Sequence, residues 1–452
     1  MIKNLTEHQI NLQIIKLLKE GKKQEFQAIL EELQPYDLAQ IYEDLPEKHR
    51  SRFLILLTLE LLVDLIGELN SDKQIEVLNL LGIEKTGKVL DLMDNDDIAS
   101  LLDDLSPEKI KNLLAGMKQE ESQIVLDLMN YPPETAGRIM TNRFVWIRNY
   151  YTVREAVEKL KSFAEYAETI NYLYVINQDR NLVGVVSYRD LLLAEPNEII
   201  RNIMYERVLS VSVTTDQEEV ARMTERYDFL AIPVVNEDNV LVGIVTVDDI
   251  IDVVIQEANE DIEKLSASGK SIDFDTKALV AAYRRLPWLV LLLFIGLVSG
   301  KIISHFESTL QTVVALAFFM PMIAGMTGNT GTQSLAVIVR GLVSNDIDPK
   351  VIYRVIMREL GVGLMIGVIC GLLIFSIAYI WQDNIILGMV VGCSLFLTLI
   401  IGTLAGTIIP IILFKLKIDP AVASGPLITT LNDIFSLIIY FSLAQMFLTH
   451  IS

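Results

Sequence analysis

The sequence predicts a multi-domain fold: an all-α helical-array N domain, a tandem of α/β units, a long connecting helix and a five-helix all-α transmembrane domain. Three observations predict it. The 452-residue chain is 51% hydrophobic with a mean hydropathy of +0.40, yet 21% of its residues are charged, which favours a soluble part joined to a membrane part. The charge is divided in the same way, because 28 of the 38 basic and 51 of the 58 acidic residues precede Thr276, a net charge of −23. Apolar residues recur first at helical spacing, then in short runs, and finally in stretches of membrane-spanning length.

The acidity of the first part limits the partners that it can bind. Carboxylates repel phosphate, which disfavours nucleic acid, and they attract cations; the alternative is that the acidity only keeps the region soluble. Cys370 and Cys393 lie in apolar runs and the four histidines are scattered, so neither a disulfide framework nor a zinc site is predicted. The N-terminal stretch MIKNLTEHQI lacks the layout of a signal peptide, and we therefore expect the soluble part in the cytoplasm.

Residues 1–136 are predicted to form an acidic α-helical N-terminal domain. A pattern that runs from Asp37 to Leu45 and is followed by Pro-Glu-Lys recurs from Asp97 to Leu105, where Ser-Pro-Glu-Lys follows. Proline after an apolar run is typical of the end of one helix and the beginning of the next. The repeat therefore predicts stacked helical hairpins in an array.

Residues 137–200 and 201–258 are predicted to be two copies of one α/β unit. The segment Gly184–Asp190 (GVVSYRD) returns fifty-nine residues later as Gly243–Asp249 (GIVTVDD). Short apolar runs alternate with amphipathic helices in both copies, which is typical of strands paired with helices.

Residues 259–285 are predicted to be a connecting helix, and residues 286–452 a membrane domain. Five apolar stretches are predicted to cross a bilayer, which needs about 20 residues, although the first is short and the fourth is long enough to tilt or bend. They are Trp288–Ser299 extended by Ile302 and Ile303, Leu310–Ile323 running towards Gly328, Leu360–Trp381, Ile385–Phe414 and Leu427–Leu448. Lys and Arg cluster before the first stretch and after the second and fourth, which predicts a bacterial-type inner (plasma) membrane protein with its N-terminus in the cytoplasm and its C-terminus outside.

A carboxylate inside the last apolar stretch is the strongest single indication of function. Asp433 needs water, a cation or a partner at this depth, so an ion pathway is predicted; the alternative is a structural hydrogen bond to another helix. Thr429 and Thr430 precede it by three to four residues and share or flank its helix face.

Two stretches rich in glycine, proline and polar residues interrupt the apolar pattern. They are Pro321–Ser334 and Asp419–Pro426. Irregular backbone at membrane depth persists only where it lines a cavity or packs inside protein, so we expect irregular backbone beside the ion pathway. The alternative is a pair of ordinary loops at the cytoplasmic edge.

Together with Glu134–Thr141, which introduces the paired units, these stretches resemble the MgtE family of magnesium transporters over nearly the whole chain. The resemblance implies tandem CBS domains, a connecting helix that plugs the pore, and a homodimer with a magnesium-selective pore along its two-fold axis. Asp433 matches the pore aspartate of the family. Three further positions match residues near the path: Thr429, Asn329 and Asp419. The sequence departs from the family's motif at Thr327 and Thr332, which affects local helix packing.

The resemblance also implies that acids of the soluble part bind regulatory magnesium. The matching positions are Asp216, Glu218, Asp228, Asp249, Asp252, Glu257, Glu260 and Asp261, with Asp94, Asp96 and Asp97 of the N domain as acids that could face them. Mg²⁺ binds a few carboxylates and keeps several waters, so acids on facing domains suit it. Plentiful magnesium would bridge the domains and shut the pore, and carboxylate repulsion would reopen it when magnesium falls. The alternative is a solvated acidic face.

CBS domains commonly hold adenine nucleotides, so ATP is a second predicted ligand. The candidate contacts are Tyr172, Ser187, Arg189, Asp190 and Phe229. The hydroxyl and carboxylate of the Ser187 and Asp190 pair return as Thr246 and Asp249, but we assign Asp249 to the metal.

Other functions stay open at this point. A membrane-anchored sensor of adenine nucleotides or metals would use its helices only to anchor and dimerise, although an anchor has no use for Asp433. A channel for another divalent cation, such as Co²⁺ or Mn²⁺, is closer to the prediction, and a channel is not separated from a coupled carrier. No enzyme is predicted, because the sequence contains no nucleophile, phosphate-loop or zinc constellation.

Overall fold

A computed structural model describes residues 7–30, 32–103, 105–164, 166–267, 272, 276–343 and 349–447. It divides into two compact units, Met1–Val254 and Ile255–Ser452. The first unit holds the N-terminal helices and both α/β units, and the second holds the long apolar helices.

The described part of the N-terminal region is helical throughout, as predicted. Its helices are α1 (Glu7–Glu20), α2 (Lys23–Leu30), α3 (Pro35–Asp44), α4 (Glu47–Leu56), α5 (Leu59–Gly67), α6 (Ser71–Leu81), α7 (Ile83–Leu90), α8 (Asn95–Leu102), α9 (Pro107–Leu114) and α10 (Gln119–Met129). The prolines of the repeated pattern stand at helix boundaries: Pro46 directly precedes α4, and Pro107 begins α9. Proline suits these places because the first turn of a helix does not need its N–H group. Apolar side chains from successive helices share one core, in which Ile14, Phe53 and Leu90 are fully buried.

The repeat of two α/β units is confirmed. The first comprises α11 (Ala136–Ile139), β1 (Phe144–Arg148), α12 (Val153–Phe163), β2 (Thr169–Ile176), β3 (Leu182–Ser187) and α13 (Tyr188–Leu193). The second comprises α14 (Ile200–Ile203), β4 (Val211–Ser212), α15 (Gln217–Tyr227), β5 (Ala231–Val235), β6 (Leu241–Thr246) and α16 (Val247–Leu265). Each sheet has a parallel pair followed by an antiparallel pair, in the orders β1-β2-β3 and β4-β5-β6. Val175 faces Gly184 in the first sheet and Val234 faces Gly243 in the second, so the strand register repeats with the sequence.

The two α/β units exchange the segments that follow their short first helices. Thr141, which follows α11, pairs with Ile244 of the second sheet. A side chain on Gly243 would come within 2.6 Å of the Met140 sulfur, so glycine leaves the space that this methionine fills. The equivalent contacts in the first sheet join Tyr205 to Val185 and Met204 to Gly184.

The second unit consists of long helices. Beyond α16 these are α17 (Ala278–His305), α18 (Glu307–Thr312), α19 (Leu316–Val343), α20 (Pro349–Gln382), α21 (Ile385–Lys415) and α22 (Gly425–Met446). Among the described residues, α17, α20, α21 and α22 are long and apolar enough to cross a membrane. Helix α19 has 28 residues and is the fifth long helix of the predicted domain, although its polar centre makes it less apolar.

The predicted interruption in the second membrane stretch is wrong. That stretch does not begin at Leu310, because α18 ends at Thr312 and α19 begins at Leu316. Helix α19 then continues without a break through Pro321–Ser334, where irregular backbone was expected. Its glycines accept close neighbours instead of ending the helix. In the second stretch the backbone is irregular as far as Ser424: a short 3₁₀ turn, Pro420–Val422, separates α21 from α22, which begins at Gly425.

Candidate metal centre and ion pathway

Three carboxylates come together in the first unit and form what we call the carboxylate cluster: Asp96, Glu168 and Asp249. One oxygen from each lies within 4.8 Å of the others. Asp96 is in the first turn of α8, Glu168 directly precedes β2, and Asp249 is in the first turn of α16. Segments that are far apart in sequence therefore each supply one acid.

The carboxylate cluster has fewer hydrogen-bond donors than its carboxylate oxygens could accept from. The Thr246 hydroxyl oxygen lies 2.9 Å from Glu168 Oε1 and 2.6 Å from Asp249 Oδ2. A hydroxyl has one proton and can donate to only one carboxylate at a time, so the other contact requires a proton on the acid or a nearby cation. Asp96 Oδ1 and Glu168 Oε2 are buried and have no hydrogen-bond partner in the described part of the chain.

Burial raises the pKa of every carboxyl group in the cluster. The pKa of Glu168 rises to about 7 through burial and then through the charge of Asp249, and burial likewise raises the pKa of Asp249 to about 7. Asp96 is 6% exposed, and burial followed by the charges of Asp249 and Glu168 holds its pKa well above the usual range. Three anions so close together repel one another, so near neutral pH the cluster holds protons or a cation.

The cluster suits a hard divalent cation. Mg²⁺ binds oxygen at about 2.0–2.1 Å, which places opposite ligands roughly 4.2 Å apart. The cluster's oxygens all lie within 4.8 Å of one another, which is compatible with ligands of one ion, and the unpartnered oxygens of Asp96 and Glu168 have lone pairs available. The cluster contains only carboxylates, a donor set that favours Mg²⁺, Ca²⁺ or Mn²⁺ over softer metals.

Asp249 is the only acid of the predicted regulatory set that belongs to the cluster, among the residues that the structure describes. Asp94 pairs instead with Arg143, whose Nη1 lies 2.9 Å from its carboxylate. Asp216 caps α15, where its carboxylate accepts from the Glu218 backbone N–H at 2.9 Å. The remaining predicted acids lie elsewhere: Asp228 ends α15, Asp252 is exposed on α16, and Glu257, Glu260 and Asp261 lie further along that helix.

Sequence reasoning missed Glu168. It is not among the acids that the family resemblance indicates, and the fifty-nine-residue repeat places Tyr227 at the equivalent position. Asp96 was expected only as an acid facing the regulatory set, with nothing to indicate its burial. The signal that joins these residues is their distance in the folded chain, which no local pattern carries.

The predicted nucleotide contacts lie around the end of β3. Ser187 donates its hydroxyl to Asp190 at 2.6 Å and accepts from the Asp190 backbone N–H, which caps α13. Tyr172 pairs with Ser187 across β2 and β3, and Arg189 is exposed in the first turn of α13. Phe229 stacks on an adjacent tyrosine ring, with the centroids 5.5 Å apart. Asp190 lines a cavity of about 340 Å³, and the hydroxyl–carboxylate pattern also has a structural role as a helix cap.

In the second unit, Asp433 is half-buried on α22. Thr429 and Thr430, one turn earlier, donate their hydroxyls to the Pro426 carbonyl at 2.9 and 2.8 Å. Their oxygen lone pairs therefore remain available to a hydrated cation. Asn329, the predicted pathway residue of α19, is exposed.

Helices α19 and α22 approach closely beside Asp433. Asn432 is fully buried, and its amide donates to the Thr327 carbonyl at 3.3 Å. A side chain on Gly331 would come within 2.1 Å of that amide, and one on Gly328 within 3.2 Å of a methyl group of a threonine on α22. Successive helical residues point about 100° apart, so the burial of Asn432 sets the face on which Asp433 is presented.

Asp419, also predicted near the pathway, caps the turn between α21 and α22. One carboxylate oxygen accepts from the Ala421 backbone N–H at 2.8 Å. The other lies 2.6 Å from the Lys264 ammonium at the end of α16. Sequence reasoning did not identify Lys264.

Comparisons with known proteins agree with this architecture. A family model described as a divalent cation transporter matches residues 320–443, the MgtE intracellular N domain matches residues 33–134, and the CBS domain matches residues 136–197 and 200–256. A magnesium transporter MgtE of Bacillus subtilis is 61% identical over 448 residues, 99% of each chain, and one of Enterococcus faecalis is 44% identical over 439 residues, 97% of each. A crystal structure of the cytosolic domain of the Mg²⁺ channel MgtE in complex with ATP has a TM-score of 0.52 at 35% identity, covering 54% of this chain and 99% of that one. The chain therefore belongs to the MgtE family.

Proposed function

We propose that this multi-pass membrane protein carries Mg²⁺ into the cytoplasm through a pathway beside Asp433, and that Mg²⁺ at the carboxylate cluster closes that pathway. The observation that supports the gating most strongly is the burial of three repelling carboxylates, two of them with unpartnered oxygens. Electrostatic repulsion between buried carboxylates destabilises the folded arrangement unless a bound cation or protons offset it.

Magnesium is the ion that the chemistry and the relatives favour together. The relatives are named magnesium transporters, and they match nearly the full chain. The cluster offers hard oxygen ligands only. Asp433 provides a carboxylate within a long apolar helix, with threonine oxygens one turn away that suit the water shell of a hydrated ion.

Gating follows from the position of Asp249. When cytosolic Mg²⁺ is plentiful, the ion bridges Asp96 of the N domain to Glu168 and Asp249 of the CBS domains. When Mg²⁺ falls, repulsion separates these acids. Since Asp249 is in the first turn of α16, the repulsion between these carboxylates acts directly on this helix, which precedes the membrane helices in the chain.

The wider setting of this proposal is a homodimer in a bacterial-type plasma membrane, with the N-terminus in the cytoplasm and the C-terminus outside. Positive charge flanks the apolar stretches on the side assigned to the cytoplasm, as at Arg284 and Arg285 of α17, which precede the apolar stretch that begins at Trp288. ATP bound near Ser187 and Asp190 would tune the gate, in line with the related cytosolic domain that was crystallised with ATP.

Another divalent cation is the main competing cargo. Mn²⁺ shares the preference for oxygen ligands, and the carboxylates alone do not separate it from Mg²⁺. Competition of Mn²⁺ and Co²⁺ against Mg²⁺ in the uptake assay distinguishes these cargoes.

Uptake of Mg²⁺ into proteoliposomes tests the proposed pathway. Intact protein should give saturable uptake, and Asp433→Asn should abolish most of it. The exposed Asp179 lies in the β2–β3 turn and belongs to neither proposed site, so Asp179→Asn is the matched control. Equal uptake by Asp433→Asn and Asp179→Asn would reject the pathway, and absence of uptake by correctly folded wild-type protein would favour the membrane-anchored sensor.

The same assay tests the gate when Mg²⁺ on the cytosolic face is varied. Glu168→Gln combined with Asp249→Asn should leave uptake intact but raise the Mg²⁺ concentration needed to close the pathway. Unchanged closure in this double variant would show that the carboxylate cluster is not the sensor.

A further inference from the structure

A lysine forms ion pairs with carboxylates at the place where α16 meets the turn between α21 and α22. The Lys264 ammonium lies 2.6 Å from Glu260 Oε1 and 2.6 Å from Asp419 Oδ2. Asp261 is the next residue of α16 after Glu260. One ammonium therefore contacts two carboxylates, and a third acid adjoins them in sequence.

The contact belongs to a packed junction. Leu265, the last residue of α16, packs against a buried apolar cluster that includes the fully buried Ala421, Ala423 and Ile428. The Leu265 carbonyl lies 3.5 Å from the position that a side chain on Gly425 would occupy. The Lys264 side chain is 31% exposed and that of Asp419 is 35% exposed, so the pair is only partly screened by water.

The Lys264 ammonium contacts two carboxylates at once, so this junction already holds one positive charge. A single ammonium does not neutralise three carboxylates. A divalent cation that reaches Asp419 competes with Lys264 for the same oxygen.

We propose that Lys264 is a tethered cation that holds Asp419 in the closed state, so that the transported ion can bind Asp419 only when the end of α16 moves away. The inference rests on the proposed function, since it assumes an ion pathway that passes Asp419. It assigns Lys264 a gating role in addition to the metal-binding acids.

Helix α16 supplies the connection between the sensor and this contact. It runs unbroken from Val247 to Leu265, with Asp249 in its first turn and Lys264 in its last. Asp249 and Lys264 are therefore on the same helix, about four turns apart.

The test measures Mg²⁺ uptake by the full-length chain in proteoliposomes while Mg²⁺ on the cytosolic face is varied. Lys264→Gln should raise the Mg²⁺ concentration for half-closure about two- to fivefold, the range expected for a partly exposed ion pair. Lys264→Arg keeps the charge and should close as wild type does. Lys415→Gln removes an exposed positive charge at the end of α21 and should have no effect. Closure of Lys264→Gln at the wild-type concentration would overturn the inference.

A double-variant cycle separates occupation of Asp419 from a general structural effect. If Lys264 acts by holding Asp419, then Lys264→Gln should change closure little in an Asp419→Asn background. Additive shifts would show that Lys264 acts elsewhere and would refute the proposal. Wild-type protein that takes up no Mg²⁺ would contradict the proposed function itself, a different outcome from normal uptake with unaltered closure.

Hydrogen exchange gives a readout that does not depend on transport. In purified full-length protein, Lys264→Gln should speed amide exchange across residues 260–267 relative to Lys415→Gln. Equal exchange in the two variants would show that the Lys264 contact does not hold the end of α16.

Discussion

A close helix approach in the second unit makes a quantitative prediction at Gly331. A side-chain carbon added there would lie 2.1 Å from the Asn432 amide nitrogen, 2.9 Å from an Ile428 methyl group and 3.2 Å from the Gly402 carbonyl. Gly331→Ala should therefore push α19 away from α22 and displace Asn432, which directly precedes Asp433.

The expected change in the free energy of unfolding follows from opposing effects. Overpacking of a tight site costs about 1–3 kcal/mol, and loss of the bond from Asn432 to the Thr327 carbonyl costs about 1 kcal/mol more. Alanine favours a helix over glycine by up to about 1 kcal/mol. The net loss should be about 1–3 kcal/mol. Gly325 lies on the same helix with nothing within 4 Å of an added carbon, so Gly325→Ala should be neutral or slightly stabilising.

Thermal unfolding in detergent and Mg²⁺ uptake are the assays. Gly331→Ala should unfold at a lower temperature than Gly325→Ala and should lose uptake. Removing the obstructing amide with Asn432→Ala should restore part of the stability of Gly331→Ala. No such rescue is expected for Gly406→Ala, whose added carbon meets the Gly331 backbone carbonyl at 2.1 Å. Equal stability of Gly331→Ala and Gly325→Ala would refute this account of the packing.

Three further predictions concern the first unit. Without divalent metal, thermal stability should fall as pH rises from about 4 to about 7, because Glu168 and Asp249 bind protons more tightly in the folded state than in the unfolded state. Excess Mg²⁺ should flatten this dependence of stability on pH. A stability that does not change with pH in the presence of chelator would contradict the assignment. Arg138→Gln should lower the free energy of unfolding in denaturant by about 1–3 kcal/mol, because the buried guanidinium donates to the Asp103 carboxylate and to a backbone carbonyl. Arg154→Gln, at an exposed position, should lower it by almost nothing. Equal effects of the two substitutions would argue against a stabilising role of the Arg138 contacts. Ser187→Ala should weaken ATP binding several-fold by calorimetric titration, and undiminished affinity would remove Ser187 from the nucleotide site.

Much of the architecture was predictable from local patterns. The helical array, the repeated α/β unit and the long apolar helices all follow from spacing and composition, because burial imposes a period on the sequence that each element keeps along its length. The pattern around Pro321–Ser334 was misinterpreted because glycine and proline weaken a helix in isolation. In the folded chain, Gly328 and Gly331 remain helical because α22 packs directly against them.

The functional residues also fall into those that local sequence patterns predict and those that only the folded chain shows. By itself the sequence determined which part of the chain is acidic, that Asp433 lies within an apolar helix, and that hydroxyl and carboxylate recur at Ser187 and Asp190 and again fifty-nine residues later. Only the tertiary structure decided that Glu168 joins Asp96 and Asp249, and that Lys264 faces Asp419. These contacts join residues up to 155 positions apart, so no local pattern encodes them; they exist because packing of distant apolar surfaces brings their charged neighbours together.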